Sequence, residues 1–229
     1  MARALYQHLA PITAVACAAL MAPFAAHAQD AQQDFVGKDA GTVMLRLRAI
    51  NIAPLDSSSS ISIIGGNVHV PSQWAPELDG SYFFTDHVAA ELVFGSITQA
   101  SPVQARGTRF GVVDVGNTHA LAPILDLQYH FYPHERLSPY LGAGVTTTFF
   151  YGDSVPAQGA TTKLDVRTTE GPVVQAGVDY NITGHWFLNA DVKLLLITAD
   201  ANIDALGTQL KAKVALNPVV AGVGIGYRF

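Results

Sequence analysis

Eight stretches of this chain alternate apolar and polar residues with a period of two, and the connections between them are of two unequal kinds. The stretches run over 43–53, 73–84, 87–97, 119–131, 139–151, 171–182, 185–197 and 213–229. Successive side chains of a strand point to opposite faces, so a sustained period of two predicts strands with two different environments. Three connections are short: "TD" (85–86), "YPHERLS" (132–138) and "TG" (183–184). Four are long, 54–72, 98–118, 152–170 and 198–212, and rich in Ser, Gly, Asp, Thr and Ala. Most stretches reach the roughly 9 to 11 residues that a tilted strand needs to cross a bilayer. An even number of strands closes without leaving an edge. The expected fold is therefore all-β: an eight-stranded antiparallel transmembrane β-barrel over 43–229, with short periplasmic turns and long extracellular loops.

Composition and addressing agree with a chain exported to the outer membrane of a Gram-negative cell. Hydrophobic residues make up 49% and charged residues 14%, against roughly 25% charged in an ordinary soluble domain. No apolar run after Ala28 is long enough for a spanning helix. Arg3, a short apolar core interrupted by Pro11 and Pro23, and Ala26-His27-Ala28 predict a cleavable signal peptide over 1–28. The single cysteine, Cys17, lies inside that segment, with Ala14 where lipoprotein processing prefers Leu. The mature chain then has no thiol, which excludes disulfides and cysteine-ligated metal. Residues 29–42 form a periplasmic N-terminal arm, of which the polar run 29–40 is expected to be loose. A formal charge of −5 argues against nucleic acid as a partner.

The chain ends "AGVGIGYRF". From Val219 to Phe229 the odd-numbered residues face lipid, with Tyr227 and Phe229 in an aromatic girdle, while Gly222, Gly224, Gly226 and Arg228 face inward. The edge strand of a soluble sandwich explains the alternation but not a terminal aromatic behind an export signal.

Several stretches together resemble the OmpW family of small outer-membrane proteins. They are "RLRAI" (46–50), "PELDGSYFFTDHVAAEL" (76–92), "HALAPILDLQYHF" (119–131), "PYLGAGV" (139–145), "QAGVDYNITGHWFLNADV" (175–192) and "GYRF" (226–229). The resemblance implies an eight-stranded barrel associated with passage of small hydrophobic molecules across the outer membrane. It also implies that the terminal strand, ending here in Tyr227 and Phe229, is recognised by the barrel-assembly machinery. The chain departs from the family at Glu170, where a Trp often precedes the glycine of the sixth strand, and at Val219, where a Trp often follows the proline of the eighth. The first departure questions an aromatic gate near the mouth.

Strand parity, taken independently of that resemblance, divides the inward residues into two layers. Toward the periplasm lie Arg46, Arg48, Glu77, Asp79, Glu91, Asp126, Asp179, Asp191, Lys193 and Arg228. Isolated charges at low dielectric are costly, so these predict a cross-barrel network that plugs the lumen, with the glycines of the last strand leaving room for arginines opposite. Toward the outside lie Ile50, Ile52, Val93, Ile97, Phe150, Val173, Leu195, Ile197 and Val220, an apolar cup able to take a small hydrophobic solute. A dry structural core accounts for the same residues, and the family resemblance favours the pocket. Trp74 falls on the outward parity. Pro123 and Pro218 each remove a ladder donor and mark either a bulge or a side exit toward the membrane lipid.

No catalytic constellation is evident, and neither a cofactor nor a metal is expected. His130 and His134 are four apart at a strand end, which does not place them on one face, and no Ser lies with a His and an orienting carboxylate. The leading expectation is a passive, non-enzymatic conduit for small hydrophobic molecules, with lateral release. An interaction barrel that binds a phage, colicin or host surface through its loops, and a narrow ion channel, are the alternatives.

Overall fold

The computed structural model describes residues 35–55, 58–61, 67–69, 71–96, 101–108, 111–154, 161–205 and 208–229. The expected signal peptide with Cys17, the first residues of the arm, and Ile97 lie outside the described residues. The barrel strands are Val43–Ala53, Gln73–Phe83, Val88–Ser96, Ile124–His130, Leu137–Ser154, Thr169–Thr183, Trp186–Leu195 and Val219–Arg228, here called first to eighth. Each pairs antiparallel with its sequence neighbours, and the first closes on the eighth from Met44↔Arg228 to Ala53↔Val219. None of the described residues forms a helix long and apolar enough to cross a membrane. Closure gives the backbone donors and acceptors internal partners, which a lipid environment requires.

Parity follows the alternation. The first strand alternates exposed and buried residues from Val43 to Ile50, and the fourth does so from Ile124 to His130. Outward positions carry Leu45, Leu47, Leu78, Leu125, Leu127, Val145 and Val223, as a lipid-facing surface requires. Aromatics collect at the short-turn end. Trp186 and Phe229 both meet Tyr227 edge-on, at 4.9 and 4.8 Å between ring centroids, and Tyr82 meets Phe84 in the same way at 5.3 Å. Phe229 is outward and exposed, and its N–H donates to Val43 O at 2.8 Å, which ties the last residue to the first strand. At the other end Trp74 is 70% exposed, in the outward orientation its parity predicts.

Two strands are shorter than the alternation predicts, and proline is the reason. The fourth starts at Ile124, after Pro123, and the eighth starts at Val219, after Pro218. Proline has no N–H for the ladder. The alternating residues upstream belong instead to strands Gly111–Leu121 and Thr208–Ala215 of the long loops. Those loops are not irregular. Ser101–Thr108 pairs with Gly111–Leu121 and with Asn67–His69, while Thr161–Val166, Thr198–Ala205, Thr208–Ala215 and Ser58–Ile61 form a four-stranded sheet.

The glycines of the last strand serve three different neighbours. A Cβ on Gly224 would lie 2.2 Å from Leu47 O and 2.6 Å from Arg48 Cγ, so this glycine makes room for an arginine. Gly226 instead accommodates the Phe187 ring, and Gly222 accommodates Ile50. Because backbone cannot retreat as a flexible side chain can, Gly224→Ala should cost about 2 kcal/mol of barrel stability. Urea unfolding of the refolded protein in lipid vesicles measures that loss.

Candidate functional site

The inward residues form strata along the barrel axis. Nearest the long loops, Ile50, Ala75, Val93, Ile124, Val173, Leu195, Ile197 and Val220 make one buried apolar cluster, with Ile52 and Leu216 packed against it. None of the eight is more than 6% exposed, so the layer is packed. Phe150 is half-buried, opposite Ala120 of a loop strand, and stands apart from the cluster. Ala75, Ile124 and Leu216 complete a layer that sequence reasoning had drawn without them.

Below this layer all ten residues of the expected charge network are buried. Arg48 Nη2 lies 2.9 Å from Glu77 Oε1, 2.6 Å from Asp79 Oδ2 and 3.1 Å from Glu91 Oε1, while its Nη1 lies 2.6 Å from Asp191 Oδ2. Arg46 Nε pairs with Asp79 Oδ1 at 2.6 Å, and its Nη2 with Glu91 and, at 2.8 Å, with Ser81 Oγ. Lys193 Nζ bridges Glu77 at 3.0 Å and Asp191 at 2.6 Å. Strand parity brought these charges to one face, and the register places them side by side: Arg46 opposite Asp79, Arg48 opposite Glu77.

Two members sit differently. Among the described residues Arg228 pairs with no carboxylate: it donates to Val36 O and to Asn181 Oδ1, the latter at 2.9 Å, and lies 5.3 Å from the Phe187 ring centroid. Asp126 is buried with both carboxylate oxygens lacking a hydrogen-bond partner.

A third stratum, which sequence reasoning missed, closes the short-turn end. Met44, Phe83, Ala89 and Phe187 form a second buried apolar cluster. Into it runs the N-terminal arm, expected to be loose and found pinned from Phe35 onward. Val36 N–H donates to Gly184 O, Lys38 N–H to Pro133 O and Gly41 N–H to Phe83 O. Lys38 is fully buried, its Nζ 2.9 Å from Asp179 Oδ2, 2.6 Å from Ser138 Oγ and 2.9 Å from His130 Nδ1. No periodicity announces such an insertion. The one available signal was a lysine and two glycines, Gly37 and Gly41, in an otherwise unpatterned run.

Burial pulls the Lys38 ammonium down to about 8, against the opposing pull of Asp179. A lysine whose folded pKa is lowered costs stability in its charged form. That cost is fully present below about pH 8 and fades as pH rises toward 10.5, the value for the free side chain. Among the described residues, one group of possible metal ligands comes together: Asp39, Asp86 and His134, exposed at the arm and turns, with ligand atoms within 4.8 Å of one another. His134 Nε2 lies 3.8 Å from Asp39 Oδ1 and 3.6 Å from Asp86 Oδ2.

Substituting Lys38 by Met would leave Asp179 without its nearest cation inside the barrel, and breaking a buried pair costs roughly 3 to 5 kcal/mol. Faster protease cleavage within the arm, with the barrel strands still protected, is the expected result.

The family model described as the OmpW family matches residues 39–229. An outer-membrane protein of Sinorhizobium fredii, y4mB, is 38% identical over 188 residues, covering 81% of this chain and 79% of its own. Outer membrane protein AlkL of Ectopseudomonas oleovorans is 28% identical over 156 residues, covering 66% of this chain and 64% of its own. The crystal structure of OprG from Pseudomonas aeruginosa superposes with a TM-score of 0.78 at 26% identity, covering 84% of this chain and 98% of that one.

Proposed function

The chain belongs to the OmpW family of outer-membrane proteins, and from that membership we propose that it is a passive conduit for small hydrophobic molecules, which enter the apolar layer from outside and leave sideways into the membrane. The observation that carries this reading is the stacking of a wholly apolar stratum, Ile50, Val93, Val173, Leu195, Ile197 and Val220, directly on a charge-filled plug. An apolar guest gains by transfer from water into the upper layer, at about 25 cal/mol per Å² of apolar surface. It gains nothing from the plug, whose ion pairs it would have to part. Because the layer is packed, entry requires its side chains to give way. The same packed plug argues against a straight ion pore.

Strand pairing supports one position for this exit. At Pro218 the strands on both sides remain paired to Val219, through Ala53 and Leu194. At Pro123 the fourth strand is likewise paired on both sides at the next residue, Ile124, with Val93 and Thr146. The ladder between the third and fourth strands ends at Val93↔Ile124, although the third strand continues to Ser96. Pro123 O accepts from Thr146 Oγ1 at 2.9 Å and from Thr147 N–H, both on the fifth strand, so the donor its ring lacks is one that would have faced the fifth strand, and Pro123 presents no polar backbone group to the third. The seam above Val93 and Ile124, beside the apolar layer, is thus a line along which the third strand runs on past its last pair with the fourth. Tyr227 and Phe229, outward at the end of the eighth strand, supply the terminal signal for the assembly machinery.

Leu195→Asp places a charge in the apolar layer and should lower uptake of a small apolar tracer roughly tenfold or more, in cells where circular dichroism of the purified variant reports a folded barrel. Unchanged uptake by that variant would sink the conduit reading. A disulfide between L92C and L125C, paired across the foot of that seam, should hold the third and fourth strands together and reduce tracer release into the membrane severalfold. Equal release from the oxidised and the reduced protein would move the exit elsewhere.

A further inference from the structure

Two buried polar side chains at the floor of the apolar layer have no partner. Asp126, on the fourth strand, and Gln175, on the sixth, are 2% and 4% exposed. Neither carboxylate oxygen of Asp126 and neither amide atom of Gln175 has a hydrogen-bond partner among the described residues. Buried polar groups are almost always satisfied, and leaving them unpaired is costly, so two such groups on either side of one strand call for a physical explanation.

They flank the same strip of backbone. On the fifth strand, Gly144 pairs with Asp126 and Gly142 with Gln175. A Cβ on Gly144 would lie 2.4 Å from Asp126 Cβ, and one on Gly142 would lie 2.8 Å from Gln175 Nε2. Both side chains thus lean over the inner face of the fifth strand from opposite sides, and the glycines put no side chain between them. The next inward residue toward the long loops is Ile124 beside Asp126 and Val173 beside Gln175, both members of the apolar cluster. Farther along the same inner row of the fifth strand, the buried Thr148 hydroxyl also lacks a partner.

Charge identifies what is missing. Among the described residues the interior buries five cations, Lys38, Arg46, Arg48, Lys193 and Arg228, against six carboxylates, Glu77, Asp79, Glu91, Asp126, Asp179 and Asp191. Every carboxylate but Asp126 lies within 4.0 Å of a lysine or arginine nitrogen. The geometry points to Asp126 and Gln175 as a polar subsite that holds the head of an amphiphile whose apolar body occupies the layer above, and its best complement is a primary aliphatic amine. An ammonium donates to the Asp126 carboxylate and to Gln175 Oε1 and supplies the sixth positive charge. An alcohol matches the same donors and acceptors without the charge, a carboxylate guest is repelled, and an alkane leaves both groups unpaired. This inference rests on the apolar layer being a binding site.

Equilibrium binding of hexane, 1-hexanol, hexylamine and hexanoate to the refolded full chain in vesicles, followed by NMR, separates the two claims. Hexylamine should bind about tenfold more tightly than hexane and move the Gln175 side-chain amide resonance, with 1-hexanol between them and hexanoate weakest, as charge-assisted hydrogen bonds imply. In D126N the ratio of hexylamine to hexane affinity should fall toward one, and Gln175→Leu should lower it partway. Hexane that binds as well as hexylamine overturns the polar subsite, assigns the unpaired atoms to water or a proton shared with Glu91, and leaves the conduit standing. If neither binds, both readings fall. The wild-type order of affinities needs no variant, so poor folding of D126N does not shield the proposal.

Discussion

The Arg48 guanidinium is the contact on which the interior of this barrel depends. It meets Glu77 and Asp79 of the second strand, Glu91 of the third and Asp191 of the seventh, and so ties the first strand to the third and the seventh, with which it shares no ladder. An eight-stranded barrel is just wide enough to be filled by side chains. A guanidinium near its axis therefore reaches several walls at once, and its planar fork can satisfy several carboxylates without changing rotamer. Removing any one partner would leave a charge in a medium that does not solvate it. The strata above and below inherit their positions from this layer. Apolar side chains fill the lumen only beyond the reach of the long cations, and Gly224 is bare because Arg48 crosses it.

Much of this was legible in the sequence because a strand's period of two leaves no freedom. Once Arg46 and Arg48 point inward, Leu45 and Leu47 must point at lipid, and the ten charged residues fall on the inner face by arithmetic. What the alternation does not carry is register. Parity places Asp126 and Arg46 on the same surface but does not say that Arg46 reaches Asp79 and Glu91 while Asp126 reaches no cation. The inserted arm was illegible for a related reason. Lys38 is held by His130, Ser138 and Asp179 of the fourth, fifth and sixth strands, all far from it in the chain, and a residue anchored only by tertiary contacts leaves no periodic trace.

The prolines mark where local pattern and tertiary pairing diverge. Residues 119–131 alternate without interruption through Pro123, and alternation counts side chains, not donors. The backbone does count donors: the fourth strand begins only after the proline, and the residues before it join a loop hairpin. The same substitution of ring for N–H has different surroundings at Pro218, because there the flanking strands end as well, at Ala53 and Leu195, whereas beside Pro123 the third strand runs on to Ser96 past its last pair, Val93↔Ile124. A proline weakens a barrel wall only where the neighbouring strand has lost its other means of pairing.

A passive conduit that is blocked at one end must let its cargo leave through the wall, and this sets opposing demands on the same few strands. The wall has to be closed for the barrel to exist in lipid, since each unpaired backbone group there costs several kcal/mol. A permanently open side exit would expose such groups. A seam bordered by Pro123 eases the conflict, because that residue turns its one polar backbone group, the carbonyl, away from the seam to Thr146 and Thr147 of the fifth strand. The exit can thus lie beside the apolar layer at little backbone cost. On the proposed lateral route the charged stratum beneath serves the same end from below, because an apolar guest gains nothing by parting its ion pairs.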